Sequence, residues 1–502
     1  MSTEAPHKRE VDINLSPEQF RAIGHRLVDQ IAGLFAHLGD RPVTTGETAE
    51  QIRALLHADR SLPETGGDPE ELMAMTTSLL FNHSLYNGHP RFWGYITAPA
   101  APIGVLAELL ASAVNPNCGA WPLSPVASEI EAQTIRWIAE LIGYPTTCGG
   151  ILVSGGNMAN FIGFIAARAA KADGDLRKSG VAVGTNGRLR AYCSAETHTW
   201  IQKAADMTGL GTDSIRWIPV DHDLKMNMSA LRAQIDADLK AGDKPFLVVG
   251  TAGSVSTGAI DRLGEVADVC REYGLWFHAD GAYGGFAACV PEVSKDLRAL
   301  SAADSVAVDP HKWLYAPLEA GCALVRDPEA LRAAFSYRPR YYHFGDEGQS
   351  FVDYGPQNSR GFRALKVWMM LQQAGRAGYE RMIRDDIHLA RHCYDLLAKH
   401  HQFEVFTHEL SIATFRFVPS DLRPRLGEGE VESYLNKLNE DLLVEIEKGG
   451  ELFLSPAVVR EHSLLRMCVV NFRTTRTDVE ALPSLVAWIG EKVDKRLRPV
   501  GM

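Results

Sequence analysis

Between about residue 127 and residue 330 the chain alternates short apolar runs with amphipathic helical stretches, and this pattern restricts the fold more than any other feature. Ile151–Val153, Arg188–Ser194, Ile215–Val220, Phe246–Gly250, Leu275–His278, Ser305–Val308 and Ala320–Val325 read as strands. Glu129–Ile142, Met158–Ala172, Met228–Ala241 and Leu263–Tyr273 keep apolar residues at helical spacing. Strands and helices in alternation predict an α/β fold, a mainly parallel sheet covered by helices on both faces. Ligands of such sheets bind beyond the carboxyl ends of the strands. The loops that follow the strands are therefore the places to look for chemistry.

The flanking regions differ in character. Ser16-Pro17-Glu18-Gln19 has the form of a capped helix start, with Phe20, Ile23, Leu27 and Ile31 at helical spacing behind it. Further helical stretches near 49–57 and 69–80 have too few apolar partners of their own to make a core. Such helices are expected to pack on another domain or a second subunit. Residues 88–126 are rich in Gly, Pro and aromatics, with a helix over Ile103–Val114. After about residue 376 comes a long helix, Tyr379–Lys399, then paired strands Phe403–Thr407 and Ser411–Phe417. A helical stripe from Val431 to Ile446, a strand Leu464–Val470 and a helix Val479–Arg496 complete a small α+β region.

Composition narrows the function classes. A net charge of −11 argues against a sequence-independent nucleic-acid binder, which needs a basic face. The eight cysteines include no CxxC pair, so neither a zinc ribbon nor a thioredoxin-type motif is expected. Scattered thiols in a chain this long suit a reducing, cytoplasmic compartment. Met1–Asp12 is polar and lacks a signal-peptide core, and no apolar run reaches membrane-spanning length.

Five strand-end loops carry candidate residues. Ser154-Gly155-Gly156-Asn157 precedes a helix, whose free N–H groups and positive dipole end suit a phosphate. Ser194–His198 offers an imidazole that could stack on a flat ligand or move a proton. Thr251–Asp261 is a loop of small and hydroxylated residues that permits close backbone approach. Asp280 ends a buried strand without a basic neighbour in sequence, so it needs a partner charge or strong donors. Asp309-Pro310-His311-Lys312-Trp313 stops a strand and sets a partly desolvated, nucleophilic lysine between an imidazole and an indole. Each loop alone has a plain structural reading. A phosphate cradle, a lone carboxylate, a histidine and a lysine on successive strand ends together match the needs of pyridoxal phosphate. No metal is expected; only His278 shares ligand spacing with Asp280.

The chain resembles the group II pyridoxal-phosphate-dependent amino acid decarboxylases, the family of aromatic amino acid and glutamate decarboxylases. The shared stretches are HPRFWGY at 89–95, SGGNMAN at 154–160, SAETH at 194–198, GTAGSVSTGAID at 250–261, HADGAYGG at 278–285, VDPHKW at 308–313 and RGFRALKVW at 360–368. The resemblance implies the aspartate-aminotransferase-like fold (fold type I), with a mainly parallel seven-stranded sheet. It also implies three parts: 1–90 as a helical segment packing on a partner subunit, 91–375 as a cofactor domain, and 376–502 as a small α+β domain. A homodimer with shared active sites and release of CO2 from an L-amino acid follow from the same resemblance.

Carried over by position, the resemblance implies that Lys312 forms a Schiff base with the cofactor, Asp280 pairs with the pyridine nitrogen and His198 stacks on the ring. Gly156, Asn157 and His311 would attend the phosphate, and Thr251 and Ala282 would line the ring. Tyr341, in the loop Phe335–Tyr342, matches the residue that returns a proton to the substrate carbon, with Tyr342 next to it. Trp93 and Tyr95 are the aromatic candidates for substrate contact, and an aromatic substrate is favoured. An acidic substrate would need a cation such as Arg91, Arg338 or Arg340. Aldehyde synthase chemistry, a fold kept without catalysis and a dinucleotide enzyme are the other readings. Two positions depart from the family pattern. Asp309 stands where many relatives carry asparagine, and is expected to point away from the phosphate or to accept backbone donors. Trp200 stands where small residues are common, and is expected to reshape the pocket.

Overall fold

The computed structural model describes residues 11–181, 187–338 and 348–502. Seven strands form the large sheet: β1 (Gly149–Val153), β2 (Leu189–Ser194), β3 (Ile215–Ile218), β4 (Lys244–Thr251), β5 (Trp276–Asp280), β6 (Ser305–Val308) and β7 (Gly321–Val325). Their spatial order is β1-β7-β6-β5-β4-β2-β3. Only β7 runs against its neighbours; the pairs from β6 through β5, β4 and β2 to β3 are all parallel. Strands β1, β2, β5, β6 and β7 are buried along their whole length. Burial on both faces explains why they read as continuous apolar runs rather than alternating ones.

The connections set the chemistry at one edge. Parallel register puts Thr251 beside Asp280, and Asp280 beside Ala307, one residue before β6 ends. The ends of β4, β5 and β6 therefore lie side by side. Across β7, the end of β1 is tied down by a buried ion pair. Glu131 accepts from Arg360 at 2.5 Å and from the Leu152 N–H at 2.9 Å, while Arg360 also donates to the Leu152 carbonyl. Both side chains are wholly buried. Breaking one half of such a pair leaves an unpaired charge out of water, at a cost of about 3–5 kcal/mol.

Before the sheet come α1 (Pro17–Ala36), α2 (Ala49–Leu56), α3 (Pro69–His83), α4 (Pro102–Val114) and α5 (Pro125–Leu141). The expected Ser16–Gln19 capping box is formed. No residue of α1 is buried within the single chain. After the sheet, one helix spans Ala364–Lys399, longer than the sequence pattern suggested. Gly375 interrupts it with φ 62° and ψ 175°, which no neighbouring side chain could adopt cheaply.

The C-terminal region holds a four-stranded antiparallel sheet in the order β10-β11-β9-β8, from β8 (Phe403–Glu409), β9 (Ile412–Phe417), β10 (Ser455–Val459) and β11 (His462–Cys468). Helices Gly429–Gly449 and Arg476–Leu497 share a second apolar core with it. Strand β10 escapes a sequence reading because Pro456 sits inside it. A proline is tolerated there because β10 is an edge strand. Among the described residues no helix is long and apolar enough to cross a membrane.

Candidate active site

A cavity of about 400 Å³ opens at the carboxyl ends of the large sheet. It gathers Gly156, Asn157, His198, Thr251, Asp280, Ala282, His311 and Lys312, drawn from five separate loops. Glu196, Tyr283, Leu318 and Glu319 join them, none of which the sequence marked as a site residue.

The first wall is the turn from β1 into α6 (Gly156–Lys171). A Cβ on Gly156 would stand 2.5 Å from Asp309 Oδ2 and 2.9 Å from the Ala282 methyl. A Cβ on Gly155 would stand 3.1 Å from the His311 ring. The turn is thus a cradle that a side chain would fill. It brings the unpaired N–H groups of a sixteen-residue helix to the cavity.

Asp280 forms the floor. It is buried, and both its oxygens are engaged: Oδ1 accepts the Ala282 N–H at 3.2 Å and Oδ2 accepts the Trp200 indole N–H at 2.7 Å. Trp200, expected to reshape the pocket, does not line the cavity and is a fully buried support beneath the carboxylate. His278, two residues earlier on β5, keeps both ring nitrogens occupied by Ser305 and Asn160, and burial pushes its pKa down to about 4. His198 faces the cavity, and its Nδ1 accepts the Trp200 backbone N–H at 3.3 Å. Burial lowers the His198 pKa, with Asp280 pulling the other way.

Lys312 lies in the single helical turn Pro310–Trp313 after β6. Its Nζ is 3.0 Å from Asp309 Oδ2, and His311 Nε2 is 3.7 Å from the same oxygen. Asp309 therefore does not point away from the cradle. It turns inward because the lysine ammonium is the cation within reach, and its Oδ1 is left buried without a partner. Trp313 serves as packing, stacked on Tyr283 at 4.9 Å. The turn is anchored from below by Asp386, which accepts from Trp313 Nε1 at 2.9 Å and from the Tyr315 hydroxyl at 2.8 Å. Burial pushes the Asp386 carboxyl up to about 7.

Two expected substrate residues are elsewhere. Trp93 is fully buried in the C-terminal core, and its indole N–H donates to Thr474. A side chain with no exposed face cannot touch a substrate, so that assignment is corrected. Tyr95 is largely exposed, packs near Phe453 and does not line the cavity of this chain. Arg91 is paired with Asp478 and Arg338 with Asp353. Arg340, Tyr341 and Tyr342 lie outside the described residues.

The cradle, the buried carboxylate, the imidazole and the amine fit a phosphorylated, nitrogen-containing aromatic aldehyde. Residues 51–418 match the pyridoxal-dependent decarboxylase conserved domain. The chain belongs to that family. An aromatic-L-amino-acid decarboxylase of Bacillus atrophaeus is 34% identical over 487 residues, spanning 96% of this chain and 98% of its own. A phenylacetaldehyde synthase of Petunia hybrida is 30% identical, over 91% of each chain. Among solved structures, mouse CSAD aligns with a TM-score of 0.89 and 27% identity, covering 95% of this chain and 99% of that one. Oryza sativa TDC with PLP and tryptamine aligns with a TM-score of 0.88 and 27% identity, covering 96% and 99%. This decarboxylase is thus a pyridoxal-phosphate-dependent carboxy-lyase of amino acids with the fold of its relatives.

Proposed function

We propose that this decarboxylase takes an aromatic L-amino acid and releases CO2 and the corresponding amine. The observation that carries the substrate class is the charge of the cavity. Among the described residues four carboxylates line it, those of Glu196, Asp280, Asp309 and Glu319, the last also paired with Arg363, against the ammonium of Lys312. An acidic side chain would be repelled there, and the described arginines that sequence offered for it are held by Asp478 and Asp353. The similarity to an aromatic-L-amino-acid decarboxylase supports the same class.

In this reading Lys312 would be the residue that holds the cofactor through its aldehyde. Gly156, Asn157 and His311 hold the phosphate at the start of α6, where the helix dipole favours an anion. Asp280 keeps a proton on the ring nitrogen, His198 covers one ring face, and Thr251 and Ala282 border the ring. When bound, pyridoxal phosphate supplies the conjugated system that accepts the electron pair left as CO2 departs. Tyr341 returns a proton to the substrate carbon, which commits the product to the amine.

A panel of L-amino acids, assayed for CO2 with product identification, tests the substrate class. Aromatic substrates should be turned over at least about tenfold faster than glutamate or aspartate; preference for an acidic one would sink the reading. In the same assay Tyr341→Phe should shift the product from amine to aldehyde. An unchanged amine yield would reassign the proton to Tyr342 or another acid.

The assembly proposed is a homodimer with residues 1–90 lying on the partner subunit. Its support is apolar surface that a lone chain leaves in water: Phe20 is 61% exposed, Leu62 91%, Leu80 59% and Val114 67%. Large apolar side chains left this exposed suit a face that a second chain covers. Sedimentation should give about twice the 55.1 kDa chain mass, and a monomer at micromolar concentration would contradict the assembly. Cytoplasmic residence is proposed from the eight free cysteines, seven of them buried. Recovery of the enzyme in an extracytoplasmic fraction would refute it.

A further inference from the structure

We infer that Trp200 is a positioning residue for the cofactor, its indole fixing the Asp280 carboxylate that faces the cofactor ring. The inference rests on the reading that Asp280 meets the ring nitrogen. It goes beyond that reading by naming what orients Asp280.

Trp200 donates twice. Its indole N–H gives a 2.7 Å hydrogen bond to Asp280 Oδ2, and its backbone N–H reaches His198 Nδ1 at 3.3 Å. The first bond is charge-assisted and short, a type roughly twice as strong as a neutral one. The indole cannot swing away. It is fully buried, edge-on to Phe164 at 6.4 Å and 82°, and edge-on to His278 at 5.6 Å and 77°. The His278 ring is itself clamped by Ser305 and Asn160. A rigid donor thus sits under one oxygen of a buried carboxylate, while the Ala282 N–H holds the other. Together they fix the carboxylate plane and leave a lone pair on each oxygen for a ring N–H.

Without the indole N–H, the carboxylate loses the donor that fixes its plane. It becomes free to rotate, and a misdirected Asp280 holds a protonated ring nitrogen poorly. A plain packing role for Trp200 would give none of this, because phenylalanine preserves most of the buried ring.

The test titrates cofactor-stripped enzyme with pyridoxal 5'-phosphate and follows binding by absorbance. Trp200→Phe should weaken cofactor binding about tenfold, the equivalent of one lost hydrogen bond to a charged group. It should also shift the pH dependence of the bound-cofactor absorbance band. Asp280→Asn should weaken binding by itself. Adding Trp200→Phe to it should then cost less than about twofold more, because the two act through one another. Equal, additive losses in both backgrounds would overturn the inference, as would unchanged affinity in Trp200→Phe with only a lowered melting temperature. If Trp200→Phe does not fold, benzothienylalanine at position 200 keeps the shape with sulfur in place of N–H, and the same tenfold loss is expected. Wild-type affinity in that variant would equally overturn it. Should Asp280→Asn bind cofactor like the parent with an unaltered band, the reading of Asp280 fails instead, whatever Trp200 does.

Discussion

Lys312→Ala should lower CO2 release by at least about a thousandfold and should abolish the visible absorbance of the bound cofactor. The expectation follows from where the amine stands. Lys312 is the lysine of the cavity, set by a single helical turn at the end of β6. That turn is held by Asp386 through Trp313 and Tyr315, so the amine's approach is fixed by the fold rather than by a loop. Alanine also removes the cation beside the buried Asp309 carboxylate, so a lowered melting temperature is expected, and turnover is compared per folded enzyme. Steady-state CO2 assays with a melting curve as control check this. A variant that keeps more than about a tenth of the parent turnover would remove Lys312 from the mechanism.

The second large effect is expected at Asp280. Asp280→Asn keeps size and burial but removes the negative charge that favours a protonated ring nitrogen. Loss of one preorganised electrostatic group of this kind typically lowers kcat by about 10²–10³. The loss should appear in kcat, with KM changed less, because the charge matters most as electrons move toward the ring. Turnover within about threefold of the parent would mean that another group holds the ring proton.

Much of this site was legible before any coordinates. The rule that ligands sit at strand ends turns five loops into one candidate set, and the structure brings eight of those residues to one cavity. The parallel sheet was legible for the same reason: its strands are buried on both faces and so are written as unbroken apolar runs.

What stayed hidden was contact over long sequence separation. Trp200 and Asp280 are eighty residues apart and meet only because their strand ends lie near each other in the sheet. The sequence flagged Trp200 as unusual but not as a donor. Asp309 was misread because like-charge repulsion with a phosphate was weighed while the Lys312 ammonium three residues on was not. Trp93 was misread because an aromatic in a Gly- and Pro-rich segment suits a pocket and a core equally well. Its hydrogen bond to Thr474, in the C-terminal region, decides for the core. Strand β10 was masked by Pro456, whose tolerance depends on the strand lying at a sheet edge.

The central claim is that Lys312 carries the cofactor. Borohydride treatment of the holoenzyme, followed by proteolysis and mass spectrometry, tests it most directly. The pyridoxyl group should be found on Lys312 alone, with CO2 release lost in proportion to the modification. A pyridoxyl group on any other lysine, or equal trapping in Lys312→Ala, would contradict it.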